Sequence, residues 1–386
     1  MPLIHRRAFT TGTVIAALAA ILPRRAFAGD PGVSADRIVF GEAAAFQGPA
    51  SALGTGMRDG ILAAFAEAGA VNGRKLELVT RDDGYEPTKS IEATRALIDQ
   101  GVFALVGPVG TPTSMAALPL AREAGIPFVG PFTGAEGLRN PYQPLVVNVR
   151  ASYFQETEVM VERLTKDKGF SRIAILYQDD AFGRAGLAGV QRAMDKRNMK
   201  LVAEGTFERN TTAVRGALLE IRKTRPQAVI MIGPYRPCAT FIKASRRIEF
   251  EPVFVNISFV GSEALAKELG EAGRGVVVTQ VVPFPYDTRV PIVAAYQKAL
   301  KASKPDAQPG FVSLEGYLVG RTVIAALQKL DGEPTRKALM EKLTNGTYDF
   351  GGFVLSFAPN NNQGSNAVYL TVIGRDGKFE PVATLA

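Results

Sequence analysis

Short apolar runs alternate along the chain with longer amphipathic stretches. RIVFGEAAA, KLELVTRDD, VFALVG and IPFVGP in the first half, and RIAILY, KLVAEGTF, QAVIMIG, EPVFVNI and GVVVTQVV in the second, predict strands. The stretches between them repeat apolar residues at helical spacing, and one has Pro87 near its start and Gly101 just past its end. In the second half, helices are predicted at about 183–198, 212–224, 237–249, 262–271, 288–302, 312–330 and 334–344.

Strands that alternate with helices form mainly parallel sheets, and such sheets bind ligands at the carboxyl ends of their strands. The polar loops that follow the predicted strands should therefore gather at one edge of each sheet. They are FQGPAS, RDDGYEP, GPVGTPT, PFTGAEG, YQDDAFG, IGPYRP and NISFVG. Because both halves repeat the same β-α order, we expect an α/β fold of two similar three-layer lobes.

The first 28 residues have the features of an export signal. Arg6 and Arg7 precede the apolar run GTVIAALAAIL, and the sequence AFA that ends at Ala28 is typical of a cleavage site. The run is shorter than the roughly 20 apolar residues of a membrane span. The paired arginines resemble a twin-arginine signal, but His5 replaces the usual Ser or Thr, so twin-arginine and general export both stay open. We expect cleavage after Ala28 and a periplasmic location.

Charge and composition restrict the classes of function. Cleavage would remove four arginines, which lowers Lys plus Arg from 45 to 41 against 37 acidic residues and the net charge from +8 to +4. Charges of both signs stay mixed along the chain, which argues against nucleic acid as a partner. Without His5 and with Cys238 as the single cysteine, the chain cannot form a Ser-His-Asp or Cys-His catalytic pair, a His or Cys zinc site, or an internal disulfide. We predict no catalytic residues, no metal and no cofactor.

The sequence also does not match nucleotide-binding or catalytic motifs. GTGMRDG begins like a dinucleotide-binding loop, but Asp59 takes the place of the third glycine. The acidic pairs Asp82-Asp83 and Asp179-Asp180 each lie between a strand end and a helix start, where carboxylates cap backbone N–H groups. We interpret them as caps or inter-lobe contacts rather than as catalytic acids.

The loop PFTGAEG ends the apolar strand IPFVG abruptly. It is either a plain strand-to-helix turn or a ligand seat, in which small residues leave backbone N–H groups free to face an anion. The ligand seat is favoured, because backbone donors lose no rotamer entropy when they bind.

The stretch from FQGPASALGTGMRDG through NGRKLELVTRDD to GIPFVGP resembles the periplasmic leucine/isoleucine/valine-binding protein family, and RIAILYQDDAFG, GPYRP and FVNISFVGSEAL continue the likeness in order. Proteins of this family are solute-binding components of ABC importers with a type I periplasmic-binding fold. The resemblance implies two lobes joined by a three-crossing hinge, with the ligand cleft between them. By analogy, residues 29–150 and 282–350 form lobe I, and residues 151–281 and 351–386 form lobe II.

The resemblance also implies the residues that contact the solute. Those on lobe I, including two neighbouring hydroxyls, are Leu53, Thr111, Thr113, Phe132, Thr133 and Gly134. Those on lobe II are Phe182, Tyr235 and Ser258, with a one-residue slip to Phe259 left open. Hydroxyl and amide donors replace the water lost by a solute carboxylate, and hydrogen bonds to a charged group contribute about 1.5–3 kcal/mol each.

Two positions depart from the amino-acid binders of the family. Ser258 stands where a carboxylate meets the ammonium of the solute, and Phe182 replaces the usual tyrosine. The nearby acids that remain are Glu136, Asp179 and Asp180. We therefore expect a small organic acid or amide with an apolar or aromatic body, with aliphatic amino acids as the competing class.

The expected function is capture of a solute by cleft closure and its delivery to an ABC permease and ATPase complex. The alternative on the same fold is a periplasmic receptor that reports its ligand state to a regulatory partner. A DNA-binding repressor of this fold is excluded, because an export signal stands in the place of its helix-turn-helix. Beyond the solute, the expected partners are the membrane complex and the export machinery.

Overall fold

The structure is a computed structural model of the protein, and it describes residues 29–385. The predicted export signal and its cleavage after Ala28 lie outside the described residues. The strands are β1 (Arg37–Ala44), β2 (Ala70–Val71), β3 (Arg74–Asp82), β4 (Leu105–Val106), β5 (Phe128–Val129), β6 (Val146–Val147), β7 (Ile173–Gln178), β8 (Ala203–Phe207), β9 (Ala228–Ile232), β10 (Val253–Asn256), β11 (Val277–Gln280), β12 (Gly346–Asp349), β13 (Val354–Phe357), β14 (Tyr369–Ile373) and β15 (Phe379–Val382).

The helices lie between these strands and after β11. They are α1 (Ser51–Ala68), α2 (Pro87–Asp99), α3 (Thr111–Glu123), α4 (Tyr153–Lys166), α5 (Ala181–Asp195), α6 (Arg215–Lys223), α7 (Tyr235–Arg247), α8 (Ser262–Leu269), α9 (Pro291–Ser303), α10 (Phe311–Gln328) and α11 (Arg336–Thr344). Short 3₁₀ turns occur at Glu136–Leu138, Ser258–Val260 and Gly270–Gly273. None of the helices in residues 29–385 combines the length and the apolarity that a membrane crossing requires.

The fold contains two large β-sheets and a two-stranded sheet formed by β12 and β13. The first has the strand order β2-β3-β1-β4-β5-β6, and all its neighbours are parallel except the β2–β3 pair. The second has the order β15-β14-β11-β10-β9-β7-β8, in which β14 and β15 extend a parallel sheet by antiparallel pairing. The expected α/β fold with mainly parallel sheets is confirmed.

The chain passes between the two sheets three times. It leaves the first sheet after β6, leaves the second after β11, and returns to the second at β14. Between the last two passages, α9 and α10 pack on α1, which follows a strand of the first sheet. Glycines allow α1 and α10 to approach closely: a Cβ at Gly60 would lie 1.9 Å from the carbonyl oxygen of Ser313, and one at Gly316 would lie 2.2 Å from that of Met57.

Helix α4 did not appear among the predicted elements. The polar run QETE at 155–158 lies near its start and interrupts the helical pattern of the apolar residues. The structure uses these polar groups locally, since the backbone N–H of Ser152 donates to Gln155 Oε1 at 2.7 Å and Thr157 donates to the carbonyl of Tyr153 at 2.8 Å. Within this run, Glu156 is fully buried and belongs to the site described below.

Candidate functional site

The loops that follow the carboxyl ends of the strands in the two sheets meet around one phenylalanine. Phe259 follows β10 of the second sheet, and its ring centroid lies 5.3 Å from that of Phe132, which follows β5 of the first sheet. The Phe259 ring also lies 4.5 Å from that of Phe182 and 5.9 Å from that of Tyr85. Tyr153 completes this cluster, which we call the ring cluster, at 5.4 Å from Phe182. In this structure the candidate cleft is therefore closed.

All nine sequence-predicted contact residues are buried at this junction. Phe132 and Phe182 belong to the ring cluster. Leu53 and Tyr235 form a second contact between loops of the two sheets. The Tyr235 hydroxyl accepts a hydrogen bond from the backbone N–H of Ala52 at 3.4 Å, and the Leu53 side chain fills the space beside Gly261. The loops therefore bring residues from distant parts of the sequence together, as the positions of the strand ends predict.

Hydroxyl groups line the first-sheet side of the cleft. The hydroxyl oxygens of Thr111 and Thr133 lie 2.6 Å apart, and that of Thr133 lies 3.3 Å from the hydroxyl of Tyr153. The backbone N–H of Ala135 donates to Thr133 at 3.2 Å. Thr113 differs from these residues, because its hydroxyl donates to the carbonyl of Val109 at the start of its own helix.

The first glycine of the PFTGAEG loop, Gly134, is required by packing. A Cβ at Gly134 would lie 2.5 Å from a ring carbon of Tyr153, and the Gly134 carbonyl accepts a hydrogen bond from the Tyr153 N–H at 2.7 Å. The N–H groups of Phe132, Thr133 and Ala135 all have acceptors. The N–H of Gly134 has none among the described residues, so it is an open backbone donor at this turn.

Ser258 is held in a buried ion-pair network that the sequence did not reveal. Its hydroxyl contacts the guanidinium of Arg150 and donates to Glu156 Oε1 at 2.9 Å, and its N–H donates to Glu156 Oε2 at 3.0 Å. Glu156 also accepts from Arg150 Nη2 at 3.1 Å and from the hydroxyl of Thr279 at 2.6 Å. Four donors thus satisfy this carboxylate.

Arg150 is completely buried and has a second acidic neighbour. Its Nη1 lies 3.5 Å from Oε1 of Glu315, without forming a hydrogen bond. Burial raises the pKa of Glu315 to about 7, although the nearby positive charge of Arg150 acts in the opposite direction. The Cζ atom of Arg150 lies 4.9 Å from the ring centroid of Phe132 and 6.0 Å from that of Tyr153, so the guanidinium borders the ring cluster.

Polar contacts close the cleft at its outer edge. Nη2 of Arg209, after β8, lies 2.9 Å from Oε2 of Glu86 before α2, and Asn210 donates to Oε1 of the same glutamate at 2.6 Å. The Nη1 atom of Arg209 binds Asp180, whose other oxygen accepts from the N–H of Phe182 at 2.9 Å. The predicted role of Asp180 as a helix cap is confirmed.

Of the three acids considered for an ammonium, Glu136 is half-buried at the start of the 3₁₀ turn Glu136–Leu138, and the other two are committed elsewhere or exposed. Asp180 binds Arg209, Gln178 and the first turn of α5. Asp179 forms an exposed ion pair with Arg184 at 3.0 Å. Within residues 29–385, no three His, Cys, Asp or Glu side chains are grouped as a metal site would require.

Comparison with known proteins shows which family has this architecture. A family model described as periplasmic binding protein matches residues 38–378. The chain belongs to the periplasmic binding protein family. It is 39% identical to a possible leucine/isoleucine/valine-binding protein from Rhodopirellula baltica SH 1, with a TM-score of 0.87 over 91% of this chain and 97% of that chain.

Two further relatives support membership of this periplasmic binding protein family. An extracellular ligand-binding receptor from Verminephrobacter eiseniae ef01-2 is 32% identical, with a TM-score of 0.80 over 89% of this chain and 99% of that chain. The leucine-, isoleucine-, valine-, threonine-, and alanine-binding protein of Pseudomonas aeruginosa PAO1 is 22% identical over 320 residues, which cover 82% of this chain and 84% of that protein. The resemblance recognised in the sequence is confirmed. The chain is a solute-binding protein of the ABC transporter type rather than an enzyme.

Sequence analysis missed several residues of this periplasmic binding protein's candidate site. Phe259 appeared only as a register alternative to Ser258, and Arg150 and Glu156 did not appear at all. One signal was present: Arg150 is a lone charge between the apolar run PLVVNV and the next helix. Full burial of such a residue requires partners. The other acid, Glu315, lies in the long apolar pattern of α10, where only the tertiary structure shows what it faces.

Proposed function

We propose that this periplasmic binding protein captures a small organic acid in the cleft between two lobes and delivers it to an ABC permease and ATPase complex. The lobes are those expected from the sequence, 29–150 with 282–350 and 151–281 with 351–386. The division is supported by the strands, since β1–β6 form the first sheet and β7–β11 with β14 and β15 form the second, and by the packing of α9 and α10 on α1. The β12–β13 pair spans the proposed boundary at 350/351. Closure would be driven by a solute that touches both sets of loops at once.

The proposal that the solute is an acid rests on three linked hydroxyl groups, those of Thr111, Thr133 and Tyr153, which we call the hydroxyl chain. Three hydroxyl groups are joined by two contacts, and Thr133, in the middle, can donate its proton to only one neighbour. Because Thr133 donates to Tyr153, Thr111 donates to Thr133, and the hydroxyl proton of Tyr153 has no acceptor among the described residues. The open N–H of Gly134 lies next to this chain. An oxygen-rich anionic group fits a site with surplus donors.

The ring cluster supports an apolar or aromatic body for the solute. Phe132, Phe182 and Phe259 bring apolar rings from both sheets to one place, and Leu53 adds an aliphatic side chain. Aromatic pairs contribute about 0.5–1.5 kcal/mol beyond the area that they bury. A planar or branched apolar group would thus contact both lobes in the closed form.

The buried acids located at the cleft, Glu156 and Glu315, already face other groups, which argues for a solute without an ammonium group. The Pseudomonas relative is named for amino acids, which makes aliphatic amino acids the natural competitors. In this chain the buried Glu156 already accepts four hydrogen bonds, and Glu315 faces Arg150. An ammonium ion placed in the cleft would lose its hydration without gaining a dedicated carboxylate.

Calorimetry on matched compounds tests the proposal. The compounds are phenylacetate and 4-methylpentanoate, their primary amides, and the amino acids phenylalanine and leucine. We expect the acids to bind more tightly than the amino acids. Tight leucine binding without binding of the acids would overturn the preference and would leave a solute-binding role. Failure of the whole panel to bind would count against this solute class altogether.

A single hydroxyl substitution tests the donor site. Thr133→Val keeps the volume of the side chain and removes the central hydroxyl, so acid binding should weaken about tenfold. Thr322→Val is the matched control, because Thr322 is equally buried and its hydroxyl donates within its own helix to Leu318. Equal effects of the two variants would contradict the proposed role of Thr133. Uptake of the bound solute by cells with and without the gene tests delivery to the permease.

A further inference from the structure

Arg150 combines complete burial with incomplete hydrogen bonding. Its Nη2 group is used by Glu156 and by the hydroxyl of Ser258. Its Nε and Nη1 groups have no hydrogen-bond acceptor among the described residues. A buried cation with open donors is costly, and such groups normally bind an acceptor. Arg150 therefore requires a partner that these residues do not supply.

The position of this guanidinium connects it to the candidate cleft. It lies against the rings of Phe132 and Tyr153 and contacts Ser258, and two of these three residues are predicted to contact the solute. Tyr153 also carries one end of the hydroxyl chain, so the chain and the guanidinium lie near the same tyrosine. An acid bound at the hydroxyl chain would thus lie close to a full positive charge.

The charge balance around Arg150 leaves room for an anion. Glu156 compensates one positive charge and has its own four donors. Glu315 is a poor second counter-ion, because its carboxyl group makes no hydrogen bond to Arg150 and burial favours its protonated form. The other buried cation that acts on Glu315 is Arg139, which uses its donors on Gln363 and on backbone carbonyls. With Glu315 protonated, the Arg150–Glu156 pair is neutral and still has open donors.

We infer that Arg150 is a ligand-binding residue that donates from Nε or Nη1 to the carboxylate of the solute and thereby selects acids over the corresponding amides and amines. The inference rests on the proposed function, since it places the solute in the same cleft. A carboxylate at this point takes the place of Glu315 as the counter-ion of Arg150. A neutral amide of the same shape fills the same volume without providing a charge.

The test compares acids with amides in four proteins. Phenylacetate with phenylacetamide, and 4-methylpentanoate with 4-methylpentanamide, are titrated by calorimetry into the mature wild-type protein and the variants R150K, R139K and E315Q. We expect the wild type to bind each acid at least tenfold more tightly than its amide. R150K should lower the affinity for acids about tenfold or more and change the affinity for amides less than threefold, because lysine lacks Nε and the planar fork.

The other two variants act as controls. R139K changes a neighbouring buried arginine that has no open donor, so it should keep the acid preference. E315Q is titrated at pH 8, above the pKa of Glu315, where the variant removes a competing carboxylate and should strengthen acid binding without changing amide binding. It also carries the test if R150K does not fold. Urea unfolding of each variant shows whether its fold is intact.

Several outcomes would overturn the inference. Equal affinities for acid and amide in the wild type would do so, as would an unchanged acid preference in folded R150K. An unaltered acid affinity in E315Q at pH 8, where the wild-type carboxyl group is ionised, would have the same meaning. If acids fail but amino acids bind, Arg150 does not anchor a solute acid and the solute-binding role stands. If nothing binds, the proposed solute class fails with it.

Discussion

Replacing Glu315 by glutamine removes a buried carboxyl group without changing its shape. Glu315 lies on α10 and faces Arg150, with Arg139 and Glu156 as the other charged groups near it. Desolvation by burial raises its pKa from the ordinary 4.5 to about 7 and outweighs the attraction of the two arginines. Its ionised form therefore destabilises the folded protein.

The direction of the pH dependence follows from the two pKa values. Below pH 4.5 both the folded and the unfolded chain hold the proton, and Glu315 costs nothing. Between pH 4.5 and 7 only the folded chain holds it, so the stability contributed by this residue falls as the pH rises. Above pH 7 the loss is constant, and the difference between 4.5 and about 7 corresponds to about 3 kcal/mol.

Equilibrium urea unfolding of wild type and E315Q at pH 5 and pH 8 measures this effect. We expect the variant to be more stable than the wild type by about 3 kcal/mol at pH 8 and by much less at pH 5. The comparison is made at each pH, so the titration of Asp83, whose pKa burial also raises to about 7, cancels. E251Q, at an exposed position, is the matched control and should show no such gain.

Two results would refute this reasoning. If E315Q is no more stable than the wild type at pH 8, Glu315 is not held in a desolvated environment. If E315Q is less stable at both pH values, the ionised Arg150–Glu315 pair stabilises the fold. The second result would also remove the argument that Arg150 lacks an effective counter-ion.

Three further predictions concern closure, the turn and the thiol. Arg209→Met removes the ion pair with Glu86 across the cleft edge and should weaken solute binding about two- to fivefold, mainly through faster dissociation in surface plasmon resonance; an unchanged dissociation rate would contradict this. Gly134→Ala should lower solute affinity and melting temperature, because its Cβ would lie 2.5 Å from the ring of Tyr153. Gly137→Ala is the control: its Cβ would meet only the flexible side chain of Met115 at 3.2 Å, so both quantities should stay unchanged. Equal effects of the two variants would count against the turn geometry. The buried Cys238 thiol, whose pKa burial raises, should react with a disulfide reagent only after denaturant is added, and rapid labelling of the native protein would argue against its burial.

The pattern of the chain was sufficient to predict which loops meet at the candidate site. Loops that follow parallel strands must meet at one edge of a sheet, and the loops of Thr111, Phe132, Phe182 and Tyr235 do so. The cap formed by Asp180 was also predictable, because capping depends on neighbours within three residues. By contrast, α4 escaped prediction because the polar run QETE at 155–158 interrupts its apolar pattern and makes contacts that the helical period does not show.

The sequence by itself determined the α/β class, the order of strands and helices, the gathering of polar loops and the likeness to one family, because each of these depends on local spacing or on motifs in a fixed order. Only the tertiary structure decided what surrounds the candidate site. It placed Arg150 against Ser258, which is 108 residues away in the chain, and against Glu315, and it inserted Phe259 between rings of both sheets. Burial, which sets the cost of these charges and the pKa of Glu315, is a property of the packed chain and has no local signature.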